Sequence, residues 1–388
     1  MRSFARSPLW PWFKVVVALV AIDWALFGAG LFFRWVPELQ RDPVTWGLVY
    51  RCVRQLAQSK ASTSYVVGSS IVFLGLDERQ VADELAARQV PNGMTSLTVF
   101  GATGADSALL AHAAARTRPW LVVLTGSVRD FPKRGKLDTP VSRIFRDATV
   151  DFPPLRPTDV EGNLGGWVRA YWRLYRYRFF VRVALTDDLS SLTGLGFANA
   201  SPPPAQGILP PAQELDASAP VPEEAFQWFF PGRINAESFR AWQHWRSTRR
   251  FADYAAFLRA NKSGGLEDYE RQTVATHGPD GNLHLDALKW IEAELVAARI
   301  RVVVVDFPEN PVLQDPDARN HYDTGLADAI AARLAADAQA NGARFVDLRR
   351  ALEADDFYDL IHPNLKGGAK LAVRLADVVA EEWRAAGR

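Results

Sequence analysis

Asp359 and His362 stand three apart in the stretch DDFYDLIHPNLKGGAKLA, in a chain with 6 histidines. Their types suit proton transfer. An imidazole titrates near neutrality and takes a proton from a weak nucleophile. A carboxylate on the other ring nitrogen fixes the tautomer and stabilises the imidazolium. A serine hydroxyl is a nucleophile that such a pair activates. The candidate is Ser70, which ends the apolar run TSYVVGSS. Triads are defined by geometry and not by chain order, so a nucleophile far upstream of its base is no obstacle. Other candidates also follow apolar runs: Gly101 and Gly104 in FGATGADS, Ser127 and Arg129 in TGSVRD, and Glu309 and Asn310 in DFPENP. Position alone makes Glu309 and Asn310 candidate substrate contacts.

The elements needed to gather these residues are legible in the hydrophobic pattern. TSYVVGSS, TSLTVFGATG, WLVVLTGS, RVVVVDFP and ARFVDLR read as strands. DERQVADELAARQV, ADSALLAHAAARTRP, LHLDALKWIEAELVAARI and GLADAIAARLAADAQANG read as helices between or after them. Continuous apolar runs alternating with helices indicate a parallel sheet covered on both faces. The expected fold class is α/β: a three-layer α/β/α, flavodoxin-like domain of about five parallel strands. Sites in open parallel sheets form at the carboxyl ends of strands, where all these loops would converge.

The body is expected to span residues 61–388, interrupted by a helical and disordered insertion at about 150–285. Residues 197–222 are rich in Pro and Ala and read as a mobile loop. The stretch LGGWVRAYWRLYRYRFFVRVAL reads as a basic, aromatic helix. Arg169, Arg173 and Arg176 fall on one face, with Trp172, Tyr175 and Phe179 beside them. Such a helix covers a sheet with its arginine heads wet, lies on a membrane surface, or lines a polyanion groove. The cover helix is the favoured reading.

The N-terminus carries an apolar run from Val15 to Phe33, interrupted by Asp23. At about 1.5 Å per residue it matches a bilayer's hydrocarbon core. Arg2, Arg6 and Lys14 precede it, and Trp10, Trp12 and Trp35 flank it. The expectation is a cytoplasmic tail (1–8), a transmembrane anchor (9–35), a stalk (36–60) and a body outside the cytoplasm. A cleaved signal peptide is the rival, but FGAGLFF makes a poor cleavage site. Asp23 either finds a polar partner within the membrane or lies lifted toward an interface.

The remaining composition narrows the function. The formal net charge is +1, so no global field favours nucleic acid. Cys52 is the single cysteine, which excludes an internal disulfide and reads as a small buried hydrophobe. His112 lies in an Ala-rich helix, at the surface or lightly buried. His244, His277, His284 and His321 show no metal-ligand spacing, and HGPDGNLHLD reads as a loop and helix cap. No metal or cofactor is expected.

Taken together, a strand-terminal serine, a glycine-bearing second loop, a third strand ending in Gly and D-x-x-H-P-N-x-x-G before a last helix resemble the SGNH, or GDSL-type, hydrolase superfamily. VVGSSI resembles the first block, with Ser69 in place of its Asp and Ser70 as nucleophile. GATGAD resembles the second, with Gly104 as an oxyanion donor through its backbone N–H. Asp359 and His362 match the last. The likeness covers residues 64–130 and 300–385. The third block departs: GSVRD lacks the family's asparagine, so Ser127 or Arg129 would replace that oxyanion donor, or the Ser70 and Gly104 amides would act alone.

Divergent members of this superfamily are anchored by one helix and work beside a membrane-bound O-acyltransferase on cell-envelope polysaccharides. The resemblance therefore implies a single-pass inner-membrane protein with a periplasmic body, and an acyl-Ser70 intermediate passing acetyl or another acyl group to an envelope glycan. The O-acyltransferase partner would engage the anchor and Asp23. A membrane-anchored carbohydrate esterase and a catalytically inactive scaffold are the alternatives.

Overall fold

The computed structural model describes residues 10–36, 39, 46–59, 63–91, 93–132, 139–147, 150–156, 160–182, 184, 278–314 and 324–387. The expected 197–222 loop lies outside them, as does most of the expected insertion. Five strands form one sheet: β1 (Ser64–Gly68), β2 (Met94–Thr98), β3 (Leu121–Gly126), β4 (Arg301–Asp306) and β5 (Arg344–Asp347). All neighbouring pairs are parallel, in the order β2-β1-β3-β4-β5. The chain builds outward from β1 in one direction and then from β3 in the other. Ligand sites in such sheets lie where the order reverses, outside the carboxyl ends of β1 and β3.

Helices cover both faces, giving the three-layer α/β/α arrangement. In chain order they are α1 (Trp10–Asp23), α2 (Leu31–Trp35), α3 (Trp46–Gln58), α4 (Ser70–Gly75), α5 (Glu78–Ala87), α6 (Gly104–Ala115), α7 (Pro140–Phe145), α8 (Val160–Tyr171), α9 (Arg173–Arg176), α10 (Leu283–Ala297), α11 (Thr324–Asn341) and α12 (Leu365–Ala385). Val66, Val123, Val303 and Val305 pack with apolar residues of α4, α5 and α12 on one face. Tyr65, Val67, Val122 and Val304 pack with α3, α6, α10 and α11 on the other. The alternation follows from the period of two along a strand. Both sides are buried, which is why these strands read as unbroken apolar runs.

One helix, over Pro11–Gly28, is long and apolar enough to be a membrane span or a signal, with mean hydropathy 1.6 over 18 residues. It comprises α1 and a π-helical turn, Trp24–Gly28. The stalk expected at 36–60 is corrected in its second half. Leu48, Val49, Tyr50, Cys52 and Val53 of α3 are buried in the core, so α3 is part of the body. The single basic helix expected at 164–185 is also corrected. Trp172 adopts an extended backbone (φ −117, ψ 100) and separates α8 from α9. The Asp23 carboxylate accepts the backbone N–H of Leu174 there, and so caps the start of α9.

Close backbone approach ties α12 to the loop before it. A Cβ on Gly367 would lie 2.1 Å from the carbonyl oxygen of Asp356. Asn364 caps α12 by accepting the Gly367 N–H (3.0 Å), and its own Nδ2 donates to the Asp355 carbonyl (2.9 Å). The carboxylate of Asp356 meets Lys370 at 2.5 Å and Lys366 at 3.1 Å. Gly367→Ala is therefore expected to cost about 1–3 kcal/mol by overpacking. It should also displace the loop carrying His362. Thermal unfolding of the variant checks this cost, and an unchanged melting temperature would refute the close approach.

Candidate active site

The site is assembled at the switch point. Ser70 follows β1 and opens α4, half-buried, with Ser69 as the extended N-cap. Its hydroxyl lies 3.0 Å from Nε2 of His362. Nδ1 of His362 lies 2.8 Å from Oδ2 and 3.0 Å from Oδ1 of Asp359. The three sequence-expected residues are thus brought into one hydrogen-bonded series. Asp359 and His362 are both buried, which strengthens a charge-assisted bond between them over the same bond in water.

The 356–364 loop is held from several sides. Oδ1 of Asp359 accepts the backbone N–H groups of Ile361 (3.0 Å) and His362 (2.7 Å). Tyr358 N–H donates to the His362 carbonyl (2.9 Å), closing the turn. From the loop after β4, Asn310 donates its side-chain amide to the Asp359 carbonyl (3.1 Å) and its backbone N–H to the Leu360 carbonyl (3.1 Å). α12 then packs against α4, which carries Ser70. The helix that Ser70 opens is therefore packed against the helix that follows the His362 loop.

Three expectations are corrected. Asn310 is 0% exposed and its polar groups are spent on the two loops, so it positions Asp359. Glu309 is 3% exposed, buried near Asp130 and Asp306, whose titrations its charge influences. Ser127 is fully buried, and its N–H donates to Oδ2 of Asp130 (3.0 Å). It offers no hydroxyl at the surface of the site. Gly104 occupies the first position of α6, where the backbone N–H has no acceptor within the helix. A Cβ there would lie 2.8 Å from the carbonyl oxygen of His284, so this position requires a glycine. Arg129 is half-buried on the 3-10 turn Val128–Asp130 after β3.

Sequence reasoning quoted Asp130 but gave it no role. The Ser69 hydroxyl and the Ser127 N–H both donate to its carboxylate. Asp130, on the loop after β3, thus holds Ser69, the residue before Ser70, from across the sheet. Burial pushes the Asp130 carboxyl up to about 7, opposed by those two bonds and reinforced by Glu309. Burial likewise raises Asp306, with Glu309 adding to it and Arg349 opposing it. An aspartate in an unfolded chain titrates near 3.9. The folded chain therefore holds the Asp130 proton more tightly than the unfolded one, and stability falls as pH rises from about 4 to about 7. Asp130→Asn, which cannot ionise, is expected to show a shallower fall in melting temperature across that interval. Equal slopes for parent and variant would refute the assignment.

His284 was also missed as part of the surroundings. Asn282 caps α10 as read from the sequence, accepting the N–H of His284 (3.0 Å) and donating to the Phe131 carbonyl (3.1 Å). His284 is buried behind Gly104, and Nδ1 accepts the Ala105 N–H (3.4 Å). Burial holds its ring near pKa 4, so it acts as a neutral acceptor. His112 is half-buried, its ring 5.5 Å from that of Trp290. Cys52 is inert: burial pushes its thiol up to about 12.

No protein-family model and no curated relative matches this chain. Among solved structures, it is similar to the 2.00 Å crystal structure of a candidate acylhydrolase from Bacteroides fragilis NCTC 9343. That likeness has 12% identity and a TM-score of 0.34, and covers 85% of this chain and 93% of the other. Similarity at that level adds nothing to the functional argument, which rests on side-chain geometry.

Proposed function

We propose that this chain is a membrane-anchored serine acyl-transfer enzyme of the SGNH type, acting on an extracytoplasmic cell-envelope polysaccharide. The observation that carries the reading is the continuous series from the Ser70 hydroxyl through His362 to Asp359. His362 takes the Ser70 proton as Oγ attacks an ester carbonyl. The negative oxygen of the tetrahedral intermediate faces the Ser70 and Gly104 amides, with Arg129 as a further donor in place of the family's asparagine. Collapse breaks the bond to the departing alcohol, and His362 returns the proton to it. An acyl-Ser70 ester remains. An acceptor hydroxyl, deprotonated by His362, then attacks its carbonyl; the acyl–Oγ bond breaks, His362 returns the proton to Ser70, and the acylated acceptor leaves.

A glycan hydroxyl as acceptor makes the protein a transferase; water makes it an esterase. The apolar N-terminal helix supports placement at a membrane. Beside it, a membrane-bound O-acyltransferase is the proposed acyl supplier. The test uses the full chain in detergent with an activated acetyl ester, with and without an envelope polysaccharide. The expected result is acetylated polysaccharide, with less free acetate than in its absence. Free acetate alone, unaffected by the acceptor, assigns an esterase. Neither product, together with no labelling of Ser70 by a fluorophosphonate, overturns the catalytic reading.

A further inference from the structure

We infer that α8 and α9 form a docking surface for an anionic phospholipid bilayer, which lays the body against the membrane beside its anchor. The inference rests on the anchored reading above. Leu164, Trp167 and Tyr171 lie at i, i+3 and i+7 on α8, one face of a helix. All three are exposed, by 64%, 52% and 74%. The Trp167 and Tyr171 rings stack at 5.6 Å, forming one flat apolar patch, and Trp172 continues it. Large aromatic rings with a polar edge favour the boundary between headgroups and acyl chains.

The charges beside the patch match an anionic surface. Between Leu164 and Arg182 the chain holds Arg169, Arg173, Arg176, Arg178 and Arg182 and no acidic residue. Arg178 lies over the rings of Tyr175 (4.0 Å) and Phe179 (4.5 Å), as a long cationic side chain does when it runs along apolar surface. Basic residues near an anionic leaflet are attracted to it; Arg173 and Arg182 are exposed, while Arg176 pairs with Asp147.

Continuity with the span supplies the orientation. Asp23, near the body end of the span, caps α9. Phe27 and Phe33 touch the Tyr177 ring at 5.0 Å and 5.8 Å. Where span and body meet there is a cavity of about 390 Å³, lined on one side by Phe27, Gly28 and Phe33 and on the other by Arg116, Arg173 and Arg176 with Asp147. The Arg176 and Arg116 guanidiniums pair with Asp147 at 3.0 Å and 3.2 Å. Arg173 lines the same cavity, so basic side chains gather where the apolar helix meets the body. The apolar N-terminal helix is thus in direct contact with α9, and α9 with the α8 that carries the apolar patch.

The test uses the full chain with an environment-sensitive fluorophore on Trp167→Cys, Leu164→Cys or the control Glu381→Cys. Cys52 is 1% exposed and the parent serves as the blank. Each is reconstituted in phosphatidylcholine vesicles with and without phosphatidylglycerol. At 164 and 167, shallow spin-labelled lipid should quench the label, and aqueous iodide should quench it several-fold less than at 381. That shielding should weaken without phosphatidylglycerol. Iodide quenching equal to that at 381, in a chain retained by carbonate-washed vesicles, overturns the docking surface and leaves the anchor standing. It would assign the stripe to another occupant, such as a protein partner. Equal shielding in both lipid mixtures overturns the anionic preference. A chain released by the carbonate wash overturns both docking and anchoring.

Discussion

Ser70→Ala is expected to abolish covalent labelling by a fluorophosphonate and to lower turnover of an activated ester by at least about 10⁴-fold. The Ser70 hydroxyl is 3.0 Å from Nε2 of His362 and opens a helix, so its oxygen is both activated and presented at the rim. The residues act as a unit, which makes their losses non-additive. His362→Ala should cost about as much as Ser70→Ala, and the double variant no more than either. Losses that multiply in the double variant would mean separate roles. Labelling that survives in Ser70→Ala would place the nucleophile elsewhere. Ser70→Ala should not affect folding strongly, because Ser70 is half-buried and its hydroxyl faces the site.

Asp359→Asn is expected to lower kcat by about 10⁴-fold while leaving KM close to the parent value. Both Asp359 oxygens lie within 3.0 Å of Nδ1 of His362. An asparagine amide turned toward that nitrogen forces the opposite tautomer and puts a proton on Nε2, where Ser70 needs a base. If the remaining carbonyl oxygen turns toward Nδ1 instead, the Ile361 and His362 N–H groups lose their acceptor, and the loop loosens. Either way the base is lost. The tautomer is read from nitrogen chemical shifts of the His362 ring, and kcat from ester turnover over a pH series. A loss smaller than about tenfold would show that the carboxylate merely shapes the loop.

The strands and the Ser70–His362–Asp359 series were legible in the sequence for definite reasons. Buried parallel strands are apolar on both sides, so each appears as a run of Val and Leu, whatever it pairs with. D-x-x-H folds into a local turn, so both side chains can be placed from spacing alone. What escaped depends on contacts between distant segments. Nothing near Asn310 announces that its amide will be spent on Asp359, 49 positions later. Ser127 and Glu309 lie in loops at the correct edge of the sheet, yet both are packed beneath the rim. Asp130 meets Ser69 only because β1 and β3 are neighbours. The α3 helix reads as a spacer because a short amphipathic stretch carries no record of what will cover it.

The rings of Phe27, Phe32 and Phe33 lie 6%, 7% and 3% exposed, in one cluster with Tyr50 and Phe180 of the body. The boundary between the apolar N-terminal helix and the α/β body therefore does not fall at a linker that a protein engineer can cut. A soluble version begun after Trp35 would strip these phenylalanines from Tyr50 and Tyr177 and leave an open greasy wound beside α3. Any watertight secreted form has to keep the last turns of the hydrophobic segment and replace only its outward-facing residues with polar ones.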